Sequence, residues 1–108
     1  MSDLARQECV PCRGGVPPLG PQRIAELIKE LDGWGVVGAH HLTRVYVFPD
    51  FAAALGFTNR VGAIAEGQNH HPDILLSWGR VRVDIWTHKI DGLTESDFIL
   101  AARIDAGP

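Results

Sequence analysis

Strict alternation of two kinds of side chain between residues 80 and 88 constrains the fold of this chain more than any other feature. One set is apolar or small, comprising Val81, Val83, Ile85 and Thr87, and the other comprises Arg80, Arg82, Asp84, Trp86 and His88. Successive side chains of an extended segment point to opposite faces, so the pattern predicts a strand with one covered face. Sheets that are covered on one face only are typically antiparallel.

Four strands are predicted, as two hairpins. They comprise residues 34–37, 40–48, 74–78 and 80–87. The first hairpin turns at Gly38-Ala39 and the second at Gly79. In the second strand Leu42, Tyr46 and Phe48 share one parity, which indicates the side that faces the core.

Three helices are predicted, one before, one between and one after the hairpins. The first begins at Pro21 and ends at Gly33, where glycine favours the left-handed stop. The second follows Asp50, a good N-cap, and continues to about Gln68. Its predicted stripe comprises Phe51, Leu55, Thr58, Val61, Gly62 and Ala65. The third follows the capping-box sequence Thr94-Glu95-Ser96-Asp97 and runs to about residue 105.

The element order is therefore α-β-β-α-β-β-α, which predicts an α+β fold: a four-stranded antiparallel sheet with helices packed on one face. A chain of 108 residues is long enough for a single domain with a real core. Residues 21–108 are assigned to this domain. Residues 1–20 are rich in Pro and Gly and show no periodicity, so we expect an irregular N-terminal arm.

Charge and composition exclude several classes of function. The formal net charge is -3 and the basic residues are scattered, which argues against a nucleic-acid or anionic-membrane surface. The first residues include Asp3, Arg6 and Glu8 without an apolar stretch, so neither a secretory signal nor a membrane span is indicated. We expect a cytoplasmic protein whose cysteines are reduced.

Cys9 and Cys12 have the spacing of half a zinc knuckle or of a redox pair. A structural zinc ion needs four ligands, and no second CxxC supplies them. A redox pair of the thioredoxin kind needs a strand before it and a helix after it, and neither is predicted. We interpret the two thiols as small apolar packing groups.

Histidines mark the candidate site. His70 and His71 stand where the second helix ends, and His88 closes the alternating strand. Pro72 disfavours helical backbone at His71, so the two neighbours are predicted to be extended, to point to opposite sides and to have different roles. His40 and His41 match no partner in the sequence and are interpreted as surface residues at a strand start.

Three chemistries are compatible with histidines in these places. Metal binding is disfavoured because adjacent histidines do not present both nitrogens on one side, and no carboxylate cluster accompanies them. Nucleophilic catalysis lacks a cysteine near the histidines and any GxSxG turn. Metal-free acid–base catalysis needs two or three titratable groups at a pocket, and Glu66, His70, His71 and His88 suffice. Histidines that are merely buried and hydrogen-bonded remain an alternative.

Several motifs together resemble those of the pterin-4a-carbinolamine dehydratases. They are Gly33-Trp34, Phe51-x-x-x-Leu55-Gly56-Phe57-x-x-Arg60-Val61, Glu66-x-x-x-His70-His71-Pro72-Asp73, and Thr87-His88-x-x-x-Gly92-Leu93-Thr94-x-x-Asp97-Phe98. The resemblance covers residues from about 19 to 105. The arm, with Cys9-x-x-Cys12 and Pro17-Pro18, is similar to that of bacterial members.

The resemblance implies a dehydratase that needs no cofactor and no metal. Its substrate would be the 4a-hydroxytetrahydropterin left by an aromatic amino-acid hydroxylase, and its product quinonoid dihydropterin. The family's catalytic histidines carry over to His70, His71 and His88. Four further residues match positions near the pterin pocket, which implies a role in substrate binding: Glu66, Trp34, Asp97 and Pro72. For Trp34 a core anchor is an equally good interpretation.

The resemblance also implies a homodimer formed through sheet edges, or a homotetramer formed through helices. Some members of the family act instead as a transcriptional coactivator or as assembly factors, so a non-catalytic binding protein is the alternative function. This chain departs from the common pattern at Ile74, Trp78 and Asp91. Asp91 places a charge beside His88 where glycine is frequent.

Overall fold

The computed structural model describes residues 4–7, 9 and 17–106. Its helices and strands are α1 (Pro21–Ile28), β1 (Gly35–Val37), β2 (His41–Val47), α2 (Phe51–Gln68), β3 (Asp73–Ser77), β4 (Arg80–Ile85) and α3 (Glu95–Asp105). Short 3-10 turns lie at Leu4–Arg6 and His88–Ile90. The predicted order and the single four-stranded antiparallel sheet are confirmed.

The sheet has the strand order β1-β2-β4-β3, so the two longest strands are central. β2 pairs with β4 from Leu42↔Ile85 to Val47↔Arg80. The alternation seen in the sequence separates the two faces as predicted. The inner face is fully buried at Leu42 and at three positions of β4: Val81, Val83 and Ile85. The outer face carries Val45, Val47 and Arg82, all exposed.

Two helices, α2 and α3, cover the inner face. α3 is the most buried element, and Phe98, Leu100 and Ile104 are fully inaccessible to solvent. Full burial of an apolar side chain of this size contributes about 1.5–3 kcal/mol to folding. The position of α3 is therefore fixed along its whole length, which matters because both of its ends carry polar contacts.

α1 is shorter than predicted. It ends at Ile28, and residues 29–33 form turns before β1. The N–H groups of Glu30 and Leu31 donate to the carbonyls of residues three positions earlier, at 3.0 and 3.1 Å. Such bonds tighten the backbone and close the helix early. The left-handed backbone predicted at Gly33 is confirmed, with a φ of 81°.

α2 begins as predicted, since the side chain of Asp50 accepts a hydrogen bond from the N–H of Ala53 at 2.8 Å. Its buried face agrees with the predicted stripe at Val61 and Ala65 and differs from it at the start of the helix. There Ala54 is buried, whereas Phe51 and Leu55 are exposed. The small side chain of Ala54 is compatible with close packing at this point.

The described part of the N-terminal arm packs on α3. Leu4 is buried, and the guanidinium Nε of Arg103 donates to the carbonyl of Gln7 at 2.6 Å. Cys9 packs against the core, and Cys12 lies outside the described residues. The boundary at residue 20 stays a prediction. In the part of the chain that the structure describes, no helix has the length and apolar character that a membrane crossing requires.

Candidate active site

Asp97, in the first turn of α3, is the centre of the candidate site. The capping box is confirmed, because Asp97 Oδ2 accepts the backbone N–H of Thr94 at 2.8 Å. The same oxygen accepts the hydroxyl of Thr87 at 2.9 Å, and Oδ1 lies 2.6 Å from Nε2 of His70. Asp97 has no exposed surface, and a buried carboxylate requires such partners.

The end of α2 separates His70 from His71. Asn69 adopts left-handed backbone (φ 52°) and ends the helix, and Pro72 follows the two histidines. His70 turns inward to Asp97 and leaves only 11% of its side chain exposed. His71 turns outward, where its Nε2 contacts Oε2 of Glu66. The prediction that the two neighbours point to different sides is confirmed.

The carboxylate of Asp97 determines which ring nitrogen of His70 carries the hydrogen. A carboxylate accepts hydrogen bonds and does not donate them, so Nε2 of His70 carries the hydrogen in this contact. Nδ1 is then the nitrogen whose lone pair can take a proton. A buried carboxylate that orients an imidazole is the arrangement that suits general acid–base catalysis.

The loop that follows β4 and carries His88 reaches the same region through Thr87. Thr87 is buried against Asp97 and forms an isolated β-bridge with Gly92. Residues 88–91 form the turn between the two, and His88 is exposed. Its ring centroid lies 4.4 Å from that of Trp86. Because Thr87 and His70 share Asp97, the loops that carry the three predicted catalytic histidines meet at the start of α3.

His40 and His41 lie at the start of β2 as predicted, but the interpretation that they have no partner is wrong. Nε2 of His40 lies 2.6 Å from Oδ1 of Asp91, and its Nδ1 lies 3.0 Å from Nδ1 of His41. Both rings pack near Trp86. His40 and Asp91 are 51 residues apart, so no local pattern could have indicated the contact.

The structure does not bring Trp34 to the histidines. Trp34 is buried, and its indole Nε1–H donates to Oδ2 of Asp105 at 2.6 Å, in the last turn of α3. Eight residues of helix, about 12 Å, separate that turn from Asp97. Asp105 also lines a cleft of about 890 Å³ that includes Tyr46 and Arg60. These contacts favour a core anchor at Trp34, and its role in substrate binding stays a prediction.

Cys9 adjoins the site without the properties of a nucleophile. Its thiol donates to the carbonyl of Ser96 at 3.4 Å, and its N–H donates to Gln68 Oε1 at 2.9 Å. Burial is the main cause that raises the pKa of the thiol to about 11, and Arg103 opposes this. A thiol with so high a pKa is protonated at neutral pH and reacts poorly. Packing is therefore the better interpretation of Cys9.

Among the described residues, no three His, Cys, Asp or Glu side chains converge in a way that could hold a metal ion. The histidines are instead paired with carboxylates, as His70–Asp97, His71–Glu66 and His40–Asp91. Thr87 was missed as a site residue. Its only signal in the sequence was its place beside His88, at the end of the alternating strand.

The fold and site define a class of small α+β protein in which an antiparallel sheet carries helices on one face and two loops, which together carry three histidines, meet at a buried aspartate. Residues 17–107 match the family model for pterin 4 alpha carbinolamine dehydratase. The chain belongs to this family.

Individual relatives and a solved structure support membership of this family. A protein from Rubrobacter xylanophilus that is named as a pterin-4-alpha-carbinolamine dehydratase is 58% identical over 105 residues, which cover 97% of this chain and 98% of the relative. The crystal structure of a transcriptional coactivator/pterin dehydratase from Brucella melitensis superposes with a TM-score of 0.77 and 36% identity. It covers 82% of this chain and 96% of the other.

A more distant structure shares the fold. It is a pterin dehydratase-like protein identified as a RuBisCO assembly factor in the alpha-carboxysome, with a TM-score of 0.59 and 24% identity. The match covers 68% of this chain and 87% of that one. At this identity the likeness concerns the fold alone.

Proposed function

We propose that this protein dehydrates a 4a-hydroxytetrahydropterin to the quinonoid dihydropterin by metal-free acid–base catalysis, and that it thereby recycles the cofactor of an aromatic amino-acid hydroxylase. The observation that carries the proposal is the convergence of the loops bearing His70, His71 and His88 at Asp97. Membership of the family supports the dehydratase class.

The reaction needs one proton removed and one supplied. Loss of the N5 proton and cleavage of the C4a–O bond form the C4a=N5 double bond, and the departing hydroxide leaves as water once it is protonated. One imidazole in the neutral form takes the proton, and a second in the protonated form supplies one. No redox change occurs, so the stoichiometry of the reaction requires no redox cofactor.

The surroundings of each histidine suggest how the tasks are divided. His70 is held by a buried carboxylate and presents Nδ1, which suits a base of fixed direction. His71 and His88 are exposed and can exchange protons with solvent, which suits the groups that act on the leaving oxygen. Glu66 and Pro72 flank His71 and are proposed to line the substrate site. Asp97 is too buried to contact the substrate and acts through His70.

The test is the rate of dehydration of a synthetic 4a-hydroxytetrahydropterin. His71→Ala and His88→Ala should each lower kcat by about a hundredfold to ten-thousandfold, the usual effect of removing a general acid or base. Both side chains are exposed, so the melting temperature should change little. Glu26→Gln, an exposed carboxylate on α1 that contacts Arg23, is the control. Chelation should leave the parent's activity intact.

The alternative function is binding without catalysis, as a coactivator or assembly factor. The Brucella melitensis protein bears both descriptions, transcriptional coactivator and pterin dehydratase. A parent protein that does not accelerate dehydration would favour the alternative. If the histidine variants unfold the protein, the histidines are structural and the proposed function is wrong.

A further inference from the structure

A second group of histidines, His40 and His41, lies beside the turn of residues 88–91, which we call the His88 turn. The proposed mechanism does not use these two histidines. On the β1–β2 hairpin, His40 reaches Asp91 through Nε2 at 2.6 Å and His41 through Nδ1 at 3.0 Å. A carboxylate only accepts, so His40 donates from Nε2, and the two Nδ1 atoms share one hydrogen. The three side chains form a continuous hydrogen-bonded chain from the His88 turn to the hairpin.

Trp86 joins this chain of contacts to His88. Its ring centroid lies 5.3 Å from that of His40, 5.8 Å from that of His41 and 4.4 Å from that of His88. The indole therefore contacts both the imidazoles of the hairpin and the predicted catalytic imidazole. The direction of the His88 ring depends on where this tryptophan and the turn that follows it are held.

Left-handed backbone occurs in both of these turns, as it does at the end of α2. Non-glycine residues with positive φ in the described part of the chain are Ala39, Asn69 and Asp91. Ala39 (φ 55°) directly precedes His40, and Asp91 (φ 51°) closes the His88 turn. L-residues disfavour this region, and such conformations persist where surrounding contacts enforce them. A glycine at position 91 would adopt this backbone without strain, but it has no side chain to contact His40.

The His88 turn is thus held at both ends. At its base, Thr87 pairs with Gly92 and donates to the buried Asp97. At its last residue, Asp91 contacts His40. The Asp91 side chain is 86% exposed, so the contact alone contributes little to global stability. It acts on a turn of four residues, however, and needs only to select one conformation of that turn.

We propose that Asp91, His40 and His41 form a clamp that positions His88 for catalysis by holding its turn against Trp86. The residues of the clamp are positioning residues and need not touch the substrate. The catalytic consequence rests on the proposed function, whereas the position of the His88 ring does not. The experiment therefore measures the two separately.

The structural measurement is the NMR signal of the His88 ring protons, which the ring current of the nearby Trp86 shifts away from the values of an unstructured histidine. In Asp91→Gly and in His40→Ala these signals should move toward the values of an unstructured histidine. His40→Gln keeps a donor near the position of Nε2 and should restore most of the shift. Glu26→Gln, remote on α1, should leave it unchanged. Unchanged His88 signals in both clamp variants would overturn the proposal.

The catalytic measurement is dehydration by the same variants. Asp91→Gly and His40→Ala should lower kcat by about threefold to tenfold while KM changes less than about twofold, because misplacing a catalytic group weakens the transition state more than the bound substrate. In a His88→Ala background Asp91→Gly should cause no further loss, since it acts through His88. An equal loss in that background would refute the clamp. Absence of activity in the parent would refute the proposed function, and the NMR measurement would still decide the clamp.

Discussion

At the scale of single residues, Asp97 combines two tasks. As the third residue of α3 it satisfies the N–H of Thr94, and as a buried acceptor it joins Thr87 to His70. Each bond contributes about 1 kcal/mol or more where the acceptor is charged. In the proposed mechanism, structure and catalysis therefore depend on the same carboxylate. A variant that changes one without the other is needed to separate them.

Asp97→Asn is predicted to make that separation. The amide oxygen can still accept from Thr94 and Thr87, but the amide nitrogen donates to His70 and requires the other tautomer of its ring. We expect a dehydration rate lower by at least about a hundredfold, with most of the thermal stability retained. Ring-nitrogen NMR of His70 checks the tautomer. Asp97→Ala, which also removes the cap, should be destabilised by about 2–4 kcal/mol.

Cys9 gives a prediction about pH. Burial raises the pKa of its thiol to about 11, so alkylation by iodoacetamide in a Cys12→Ser variant should keep accelerating up to about pH 11. The folded chain then holds this proton more tightly than the unfolded chain. The stability from this group is present below pH 9 and is lost as pH rises toward 11. Urea titrations of Cys9→Ser should lack that part of the slope, and a thiol that is fully reactive at about pH 8 would contradict the prediction.

At the scale of elements, α3 connects the two polar centres of the molecule. Its first turn carries Asp97 and its last turn carries Asp105, which accepts from Trp34, Arg44 and Tyr46. Burial is the main cause that raises the pKa of the Tyr46 hydroxyl, and its hydrogen bond to Asp105 raises the pKa further. The fully buried side chains between the two ends fix α3 against the sheet. The candidate site is thus built on the most deeply buried helix.

α2 buries fewer of its residues than α3 does. Substitution of one of its glycines tests how closely the helix packs against its neighbours. A Cβ added at Gly56 would meet no atom within 4 Å. Gly56→Ala should therefore stabilise the protein by about 0.5–1 kcal/mol through helix propensity. Gly92→Ala is the matched control, because its Cβ would lie 2.6 Å from Cβ of Pro18, and it should destabilise the protein. Urea unfolding measures both. Destabilisation by Gly56→Ala would indicate that α2 packs closely against another subunit.

At the scale of the whole molecule, one sheet face and two sheet edges are uncovered in the described chain. Val47 is 80% exposed and Trp78 is 69% exposed. The edge strands are β1, with three residues, and β3, with five. A longer edge offers more unpaired backbone groups for strand addition. These features agree with the homo-oligomer that the resemblance implies.

We expect a dimer or larger at micromolar concentration, formed through β3. Leu75→Asp on β3 should shift the sedimentation coefficient to that of a monomer, because a charged edge resists strand pairing. Val37→Asp on β1 is the control, since Leu75 and Val37 are 47% and 46% exposed. A monomeric parent would contradict the prediction, and dissociation by Val37→Asp alone would assign the contact to β1.

The sequence by itself determined the elements and most of their local endings, the end of α1 being the exception. Alternation in β4, the N-cap at Asp50, the capping box at Thr94 and the break before Pro72 depend on backbone geometry that repeats within a few residues, so they could be predicted. The three catalytic candidates, His70, His71 and His88, could be selected by residue type and by the family resemblance.

Only the tertiary structure decided which of these groups meet. Asp97 is 27 residues from His70, Asp91 is 51 from His40, and Asp105 is 71 from Trp34. The exposure of Phe51 and Leu55 at the start of α2 belongs with them. Such contacts depend on strand register and on the packing of α3 against the sheet. These are set by the fit of the whole core, and no short pattern in the chain encodes them.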